Sequence, residues 1–282
     1  MFHGIRIGSL GLPGYGGGGA PTPEADVIRV RRSSDSTEAD YNLTEWDDGT
    51  LDTFVGAGDG CLATWYDDSG NDNHVTQSTT TLQPKVAISG VVQEGVVFDG
   101  INDYLTFGAR ATSGSMPSLS VAAFVKTTSA GNVVIASERL SSGSQNSWAM
   151  LSIASAPGKL VVWLYENGST LSKDYRSSIS INDGNWHHVA FTFGDGVLKL
   201  YIDGVEDTSV SKNADSAIAT VFNSTAHFNV GAMNNGGAYY FAGSISDLQV
   251  EQSTLTAGNI ATLAAGGEVG SPLIWLKGNY TP

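Results

Sequence analysis

The clearest hydrophobic pattern in the chain lies at residues 185–207, NWHHVAFTFGDGVLKLYIDGVED. Leu198, Leu200 and Ile202 alternate there with Val197, Lys199 and Tyr201, the period-2 signature of a strand with one face on a core. The spacing predicts strands over 186–193 and 197–202, joined by Gly194, Asp195 and Gly196 and closed by Asp203 and Gly204, residues that accept positive φ in tight turns. Further strands are predicted at 119–126, 133–137, 148–153, 159–165, 226–230 and 244–250, with Gly, Asn and Ser between them. Upstream, Val27, Ile28 and Val30 suggest a strand, 51–55 a helical turn and 62–66 another strand. Near the end, Thr256 reads as an N-cap and Gly266 as a stop for a short helix, followed by a last strand over 272–276. The pattern predicts an all-β chain: a two-sheet antiparallel jelly-roll sandwich over residues 24–282 with a short C-terminal helix. Residues 1–23 are rich in Gly and Pro, with Ile5, Ile7, Leu10 and Leu12 ahead of the break at Gly16 to Gly19. That stretch reads as an extended N-terminal docking arm.

Composition narrows the partners. Of 282 residues, 35 are Gly and only 15% are charged, which favours turns and short strands over long solvated helices. The formal net charge of −14 repels phosphate backbones and anionic lipid, and the largest basic group is Arg29, Arg31 and Arg32. Nucleic acid and membrane surfaces are therefore not expected partners. Cys61 is the single cysteine, so no internal disulfide forms and it reads as a small buried apolar residue. No unbroken apolar run of signal-peptide length opens the chain, and none reaches the roughly 20 residues that cross a bilayer. The expectation is synthesis in a cytoplasm.

Three groups of residues could carry chemistry. The loop from Asp67 to Asn73 gathers hard oxygen ligands, and Asp67, Asp68, Asn71 and Asn73 are candidate ligands for Ca2+. The same residues also suit a tight turn in which side chains cap their own backbone. A glycosidase would need two carboxylates facing across a cleft, but no E-x-D-x-E or E-x-D-x-x-E string occurs, and Glu138, Glu166, Asp174 and Asp247 are scattered. A carbohydrate-binding face needs aromatics for sugar rings and amides for hydroxyls. Trp148, Tyr165, Asn167, Asn234 and Tyr239 are the candidates. His187 and His188 are adjacent on a strand, point to opposite faces and cannot chelate one ion together.

In the hairpin, Trp186, His188, Val189, Ala190, Leu200, Tyr201, Ile202, Asp203 and Gly204 resemble the signature hairpin of the laminin G-like and concanavalin A-like lectin/glucanase families. That resemblance implies a concanavalin A-like sandwich. A second set of strings, at 30–35 (VRRSSD), 54–60 (FVGAGDG), 65–70 (WYDDSG), Gln83 with Pro84, and 98–104 (FDGINDY), resembles the N-terminal part of fungal α-L-arabinofuranosidase B. These are framework strings, and that family's catalytic acids find no counterpart here residue by residue. The mosaic of both is similar to bacteriophage structural proteins. It implies a non-enzymatic virion structural protein, a decoration, appendage or fibre, made in the host cytoplasm and placed on the virion surface. On that reading residues 1–23 dock on other virion proteins, the head binds a cell-surface glycan, and the protein is a homo-oligomer. The alternative it implies is a glycoside hydrolase, arabinofuranosidase-like or a polysaccharide depolymerase.

Overall fold

The computed structural model describes residues 24–108, 112, 114, 116–140 and 144–282. The docking arm expected at residues 1–23 lies outside them. The N-terminal part supplies β1 (Ile28–Arg32), β2 (Glu38–Tyr41), the short helices α1 (Leu43–Asp47) and α2 (Thr50–Val55), then β3 (Gly60–Trp65), β4 (Val75–Thr76), β5 (Lys85–Ile88), β6 (Val91–Asp99) and β7 (Leu105–Thr106). The middle supplies β8 (Ser118–Lys126), β9 (Val133–Leu140), β10 (Gln145–Ile153), β11 (Ala156–Gly168) and β12 (Leu171–Ser180). Then come β13 (Trp186–Gly194), β14 (Val197–Ile202), β15 (Val205–Glu206), β16 (Ser211–Asp215), β17 (Phe228–Val230), β18 (Ala242–Glu251), α3 (Ala257–Ala264) and β19 (Ile274–Leu276).

All pairings among these strands are antiparallel. One sheet runs β2–β1–β3–β5–β6–β18–β8–β13–β14–β15, with β19 taking the length of β18 beyond β6. The other runs β7–β17–β9–β10–β11–β12–β16. β4 joins the two, pairing with β3 on one side and β7 on the other. Alternation explains the layering: Val121, Ala123 and Val125 of β8 and Leu198, Leu200 and Ile202 of β14 enter one core with Ile135, Trp148, Met150, Leu160, Val162 and Leu164 of the second sheet.

The hairpin is built as its turn residues require. Asp195 and Gly196 have φ of 50° and 76°, and Asp203 and Gly204 have 52° and 80°, so both two-residue links adopt the left-handed backbone that matches strand twist. Tyr201 points away from the sandwich core, yet it is buried because α3 lies on that face, and Leu255 ahead of the helix with Ile260 and Leu263 in it packs against Ala122, Ala190 and Tyr201. The helix begins where the cap residue predicts: Thr256 accepts from the Asn259 backbone while Asn259 reaches back to the Thr256 backbone.

The pattern also left gaps. Strand β12 was not among the predicted strands, because Ser172, Lys173, Asp174 and Ser177 are polar yet buried. Ion pairs make their burial tolerable: Lys173 to Asp215 at 2.6 Å and Arg176 to Asp174 at 2.9 Å. Helix α1, too, was not predicted; its capping box is Asn42 with Glu45.

Candidate functional site

The loop at Asp67 is a latch. Asp67 Oδ1 accepts from the Ser69 backbone at 3.0 Å and the Trp275 backbone at 2.8 Å, and Oδ2 accepts from Ser69 Oγ at 2.7 Å and the Asn73 backbone at 3.0 Å. The amide of Asn73 donates to the Leu273 carbonyl at 2.7 Å and that of Asn71 to the Pro272 carbonyl at 3.0 Å. Asp68 pairs with Lys277 at 2.7 Å. The four residues expected as cation ligands thus spend their polar atoms on their own turn and on the segment around β19. Among the described residues no group of three or more His, Cys, Asp or Glu side chains is arranged to hold a metal ion.

The aromatic candidates divide. Trp148 is fully buried between the sheets, its ring 6.1 Å from those of both Phe191 and Phe228, so no sugar can stack on it. The physical reason is strand parity: Trp148 and Met150 face inward and Ala149 and Leu151 outward. Asn167 is exposed but closes the β11–β12 turn, accepting from the Ser169 and Thr170 backbones at 3.1 and 2.8 Å. Tyr165, Asn234 and Tyr239, by contrast, gather on the outer face of the second sheet.

That face grows from the alternation of β9 to β12. Val134, Ala149, Leu151 and Val161 turn outward and are covered by Met233, with Trp163 and Ala238 at the margin. Register places Trp163 between Ala149 and Asp174. Arg139, at the end of β9, lays its guanidinium 5.3 Å from the Trp163 ring centre and 5.7 Å from that of Tyr165. It also donates to Tyr165 Oη at 3.2 Å and to Met233 Sδ at 2.8 Å. Burial pushes the Tyr165 phenol up, with Arg139 pulling it back.

The covering loop, between β17 and β18, is pinned by its backbone: Asn234 N–H donates to the Arg139 carbonyl at 3.0 Å and Val134 N–H to the Tyr239 carbonyl at 2.9 Å. Asn234, Asn235 and Tyr239 hold φ of 55°, 54° and 58°, a strained choice for a tyrosine. Tyr239 is 37% exposed at the rim, and the Trp163 indole N–H has no hydrogen-bond partner. The arrangement can stack an apolar sugar face and answer hydroxyls from amide and guanidinium groups. Arg139 and Met233 were missed from the sequence; Trp163 stood there between a core place and a sugar-binding one, and the structure sets it at the margin of the outer face. The signal for Arg139 was weak: one arginine near the end of a strand that turns polar after Ala136, VVIASERL.

The scattered acids stay scattered. Glu138 turns into the sandwich, accepting from Thr112 N–H at 2.9 Å and Trp148 Nε1 at 3.3 Å. Asp174, on the outer face, is held by Arg176 through two hydrogen bonds of 3.0 and 2.9 Å. Asp247 belongs to the other sheet, in β18.

No curated protein matches the sequence. Among solved structures, a GH54 α-L-arabinofuranosidase soaked with a cyclic sulfate inhibitor aligns with a TM-score of 0.58 at 14% identity, covering 86% of this chain and 58% of that one. A heptameric SAP-like pentraxin from Limulus polyphemus aligns at 0.45 and 23% identity over 61% and 82%, and the enzymatically active domain of tailspike protein 2 of bacteriophage CBA120 at 0.47 and 17% over 65% and 29%. This chain thus spans little more than half of the arabinofuranosidase. The family model for the concanavalin A-like lectin/glucanases superfamily matches residues 99–261, more than half of the sequence and the part that holds the hairpin, both sheets' central strands and the outer-face cluster. With two antiparallel sheets closed by an outer helix, the chain belongs to the concanavalin A-like lectin/glucanases superfamily.

Proposed function

We propose that this chain is a non-enzymatic structural protein of a bacteriophage particle whose sandwich is a display head that binds a surface glycan through the face around Tyr239. The observation that carries the binding part is the cluster of Tyr239, Asn234, Tyr165, Trp163 and Arg139 on one outer face. Asp174, across from Trp163 in the register, is paired with Arg176, which supports a binding face over a glycosidase site there. The virion part draws on the mosaic of sequence resemblances, the Gly/Pro-rich residues 1–23 as an anchor to other virion proteins, and the acidic charge of −14. A homo-oligomer belongs to the same reading.

The test has two arms. On a glycan array, Tyr239→Ala is expected to weaken retention about tenfold with an unchanged melting temperature, and deletion of residues 1–23 to abolish incorporation into particles while the head keeps its circular dichroism. Purified particles without the protein, or an array on which no glycan is retained, would count against it.

One observation favours a second reading, a glycoside hydrolase acting on arabinan-type or surface polysaccharide. Burial pushes the Asp247 carboxyl up to about 6, the range in which a carboxylic acid can serve as a proton donor near neutral pH. Release of reducing sugar that disappears in Asp247→Asn would establish it.

A further inference from the structure

A second hollow lies on the opposite side of the molecule from the Tyr239 face, on the outer surface of the first sheet. Its floor is two cross-strand rows: His188 with Phe124 and Ser246, and Ala190 with Ala122 and Gln249. Leu263 of α3 and Gly267 beyond its end form one wall, and Trp275, Lys277 and Tyr280 the other. The volume is about 170 Å³, below the ~300 Å³ at which sites for drug-sized ligands begin. An occupant is a single ring or smaller, and no polysaccharide chain threads through.

Two features of this hollow cost free energy, and two of its side chains keep acceptor capacity. His188 is 3% exposed, yet its Nδ1 has no hydrogen-bond partner, a loss of about 1–3 kcal/mol in a buried site. Asp247 sits in a bulge of β18, between Ser246 and Gln249, with φ of 47°, a backbone choice that costs on the order of 1–3 kcal/mol and gathers at functional sites. Its carboxylate accepts only from Ser246 Oγ at 3.0 Å and Gly278 N–H at 3.2 Å. Gln249 spends its amide N–H groups on Glu251 and Val269, both at 3.0 Å, which leaves Oε1 as an acceptor.

The surrounding surface is aromatic and fixed. Tyr280 stacks on Trp186 with ring centres 4.4 Å apart and meets Phe124 at 5.1 Å, and Lys277 lies 4.2 Å over Trp275 while pairing with Glu268 at 3.3 Å. Acceptors on His188, Asp247 and Gln249 below, rings beside them, and a cation already paired at the rim suit a compact neutral molecule that carries several hydroxyls on an apolar ring.

We propose that this hollow is a binding site for a neutral polyol of monosaccharide size, with Asp247, Gln249 and His188 taking its hydroxyls and Tyr280 or Phe124 its C–H face. The site is separate from the Tyr239 face and does not rest on it.

The experiment is a titration of the full chain with L-arabinose, D-galactose and D-glucose, each to about 50 mM, followed by amide chemical shifts. The expected result is saturable shifts at Gly278 and Gln249 for at least one sugar, weakened about tenfold in Gln249→Met, whose side chain keeps the length and loses the polar atoms. Asp247→Asn is the second variant and should weaken the same titration with the fold intact. Shifts confined to Asn234 and Tyr239 would overturn the proposal and leave the display-head reading standing; shifts at Gly278 without any at Tyr239 would do the reverse. No shift at Gly278 with any of the three sugars, or shifts there that both variants leave unchanged, would overturn it as well.

Discussion

The His188 imidazole is held where protonation is costly. Burial pulls its pKa down to about 4, against the opposite pull of Asp203. The unfolded chain takes up that proton near pH 6.5 and the folded chain resists until about pH 4, so this residue removes stability as pH falls through that window, about 3 kcal/mol in all. Asp247 acts with the opposite sign. Its folded pKa of about 6 lies above the ordinary 3.8, so the folded state protonates first and gains stability as pH falls between those values. Asp103, also pushed to about 6 by burial, adds to that gain. The prediction is that His188→Leu gains about 3 kcal/mol relative to the parent chain between about pH 7.5 and pH 4, read from urea denaturation at each pH. A difference independent of pH would refute the buried neutral imidazole. The opposite orientation of His187 and His188 was legible in the sequence, since neighbours on a strand face opposite ways: His187 lies between Asp183 and Asp203, and His188 beside Phe124. The burial of Trp148 was not legible, because β10 is buried on both faces and alternation in sequence carries no sign of which face is which.

At the scale of elements, the turn from Asp67 to Asn73 and strand β19 depend on each other. Asp67→Ala removes four hydrogen bonds accepted by a buried carboxylate and should cost about 3 kcal/mol or more. Asn73→Ala removes the donor to Leu273 and should cost about 1 kcal/mol. Urea midpoints give both values, and amide exchange at Trp275 should quicken most in Asp67→Ala. With all four Asp67 contacts made by the chain itself, millimolar calcium should leave the melting temperature unmoved; a rise of several degrees would restore the cation reading. Hairpin β13–β14 and helix α3 were readable because their turn and cap residues act locally. Strand β12 was not, since its polar side chains are buried and the partner of Lys173, Asp215, lies on β16, which no local pattern announces.

The whole molecule exceeds its family signature. The matched region begins at Asp99, yet Val96, Val97 and Phe98 pair with β18, and Val27, Ile28, Val30, Trp46 and Trp65 belong to the same core as Trp148 and Phe191. Trp65 Nε1 donates to the Lys277 carbonyl at 2.7 Å, tying the N-terminal part to the segment that follows β19. The expected outcome is a single cooperative unfolding transition for residues 24–282, while residues 99–261 alone lack a native near-ultraviolet spectrum; a fragment with native spectrum and a sharp melt would show the core to be divisible. The sheet order joining these parts was not legible, because period-2 patterning identifies strands and leaves their partners open.

The latch between the Asp67 turn and Leu273 joins residues 200 positions apart. Contacts of that separation repay the entropy of closing the chain only after most of the sheet exists, which places this protein among slow folders, on the order of milliseconds to seconds. Until β19 arrives, the outer length of β18 stands as an open edge able to pair with another chain. The closing strand is therefore a safeguard against aggregation as well as a piece of the sandwich, and the polar turn that fastens it sets how long the exposed edge must wait.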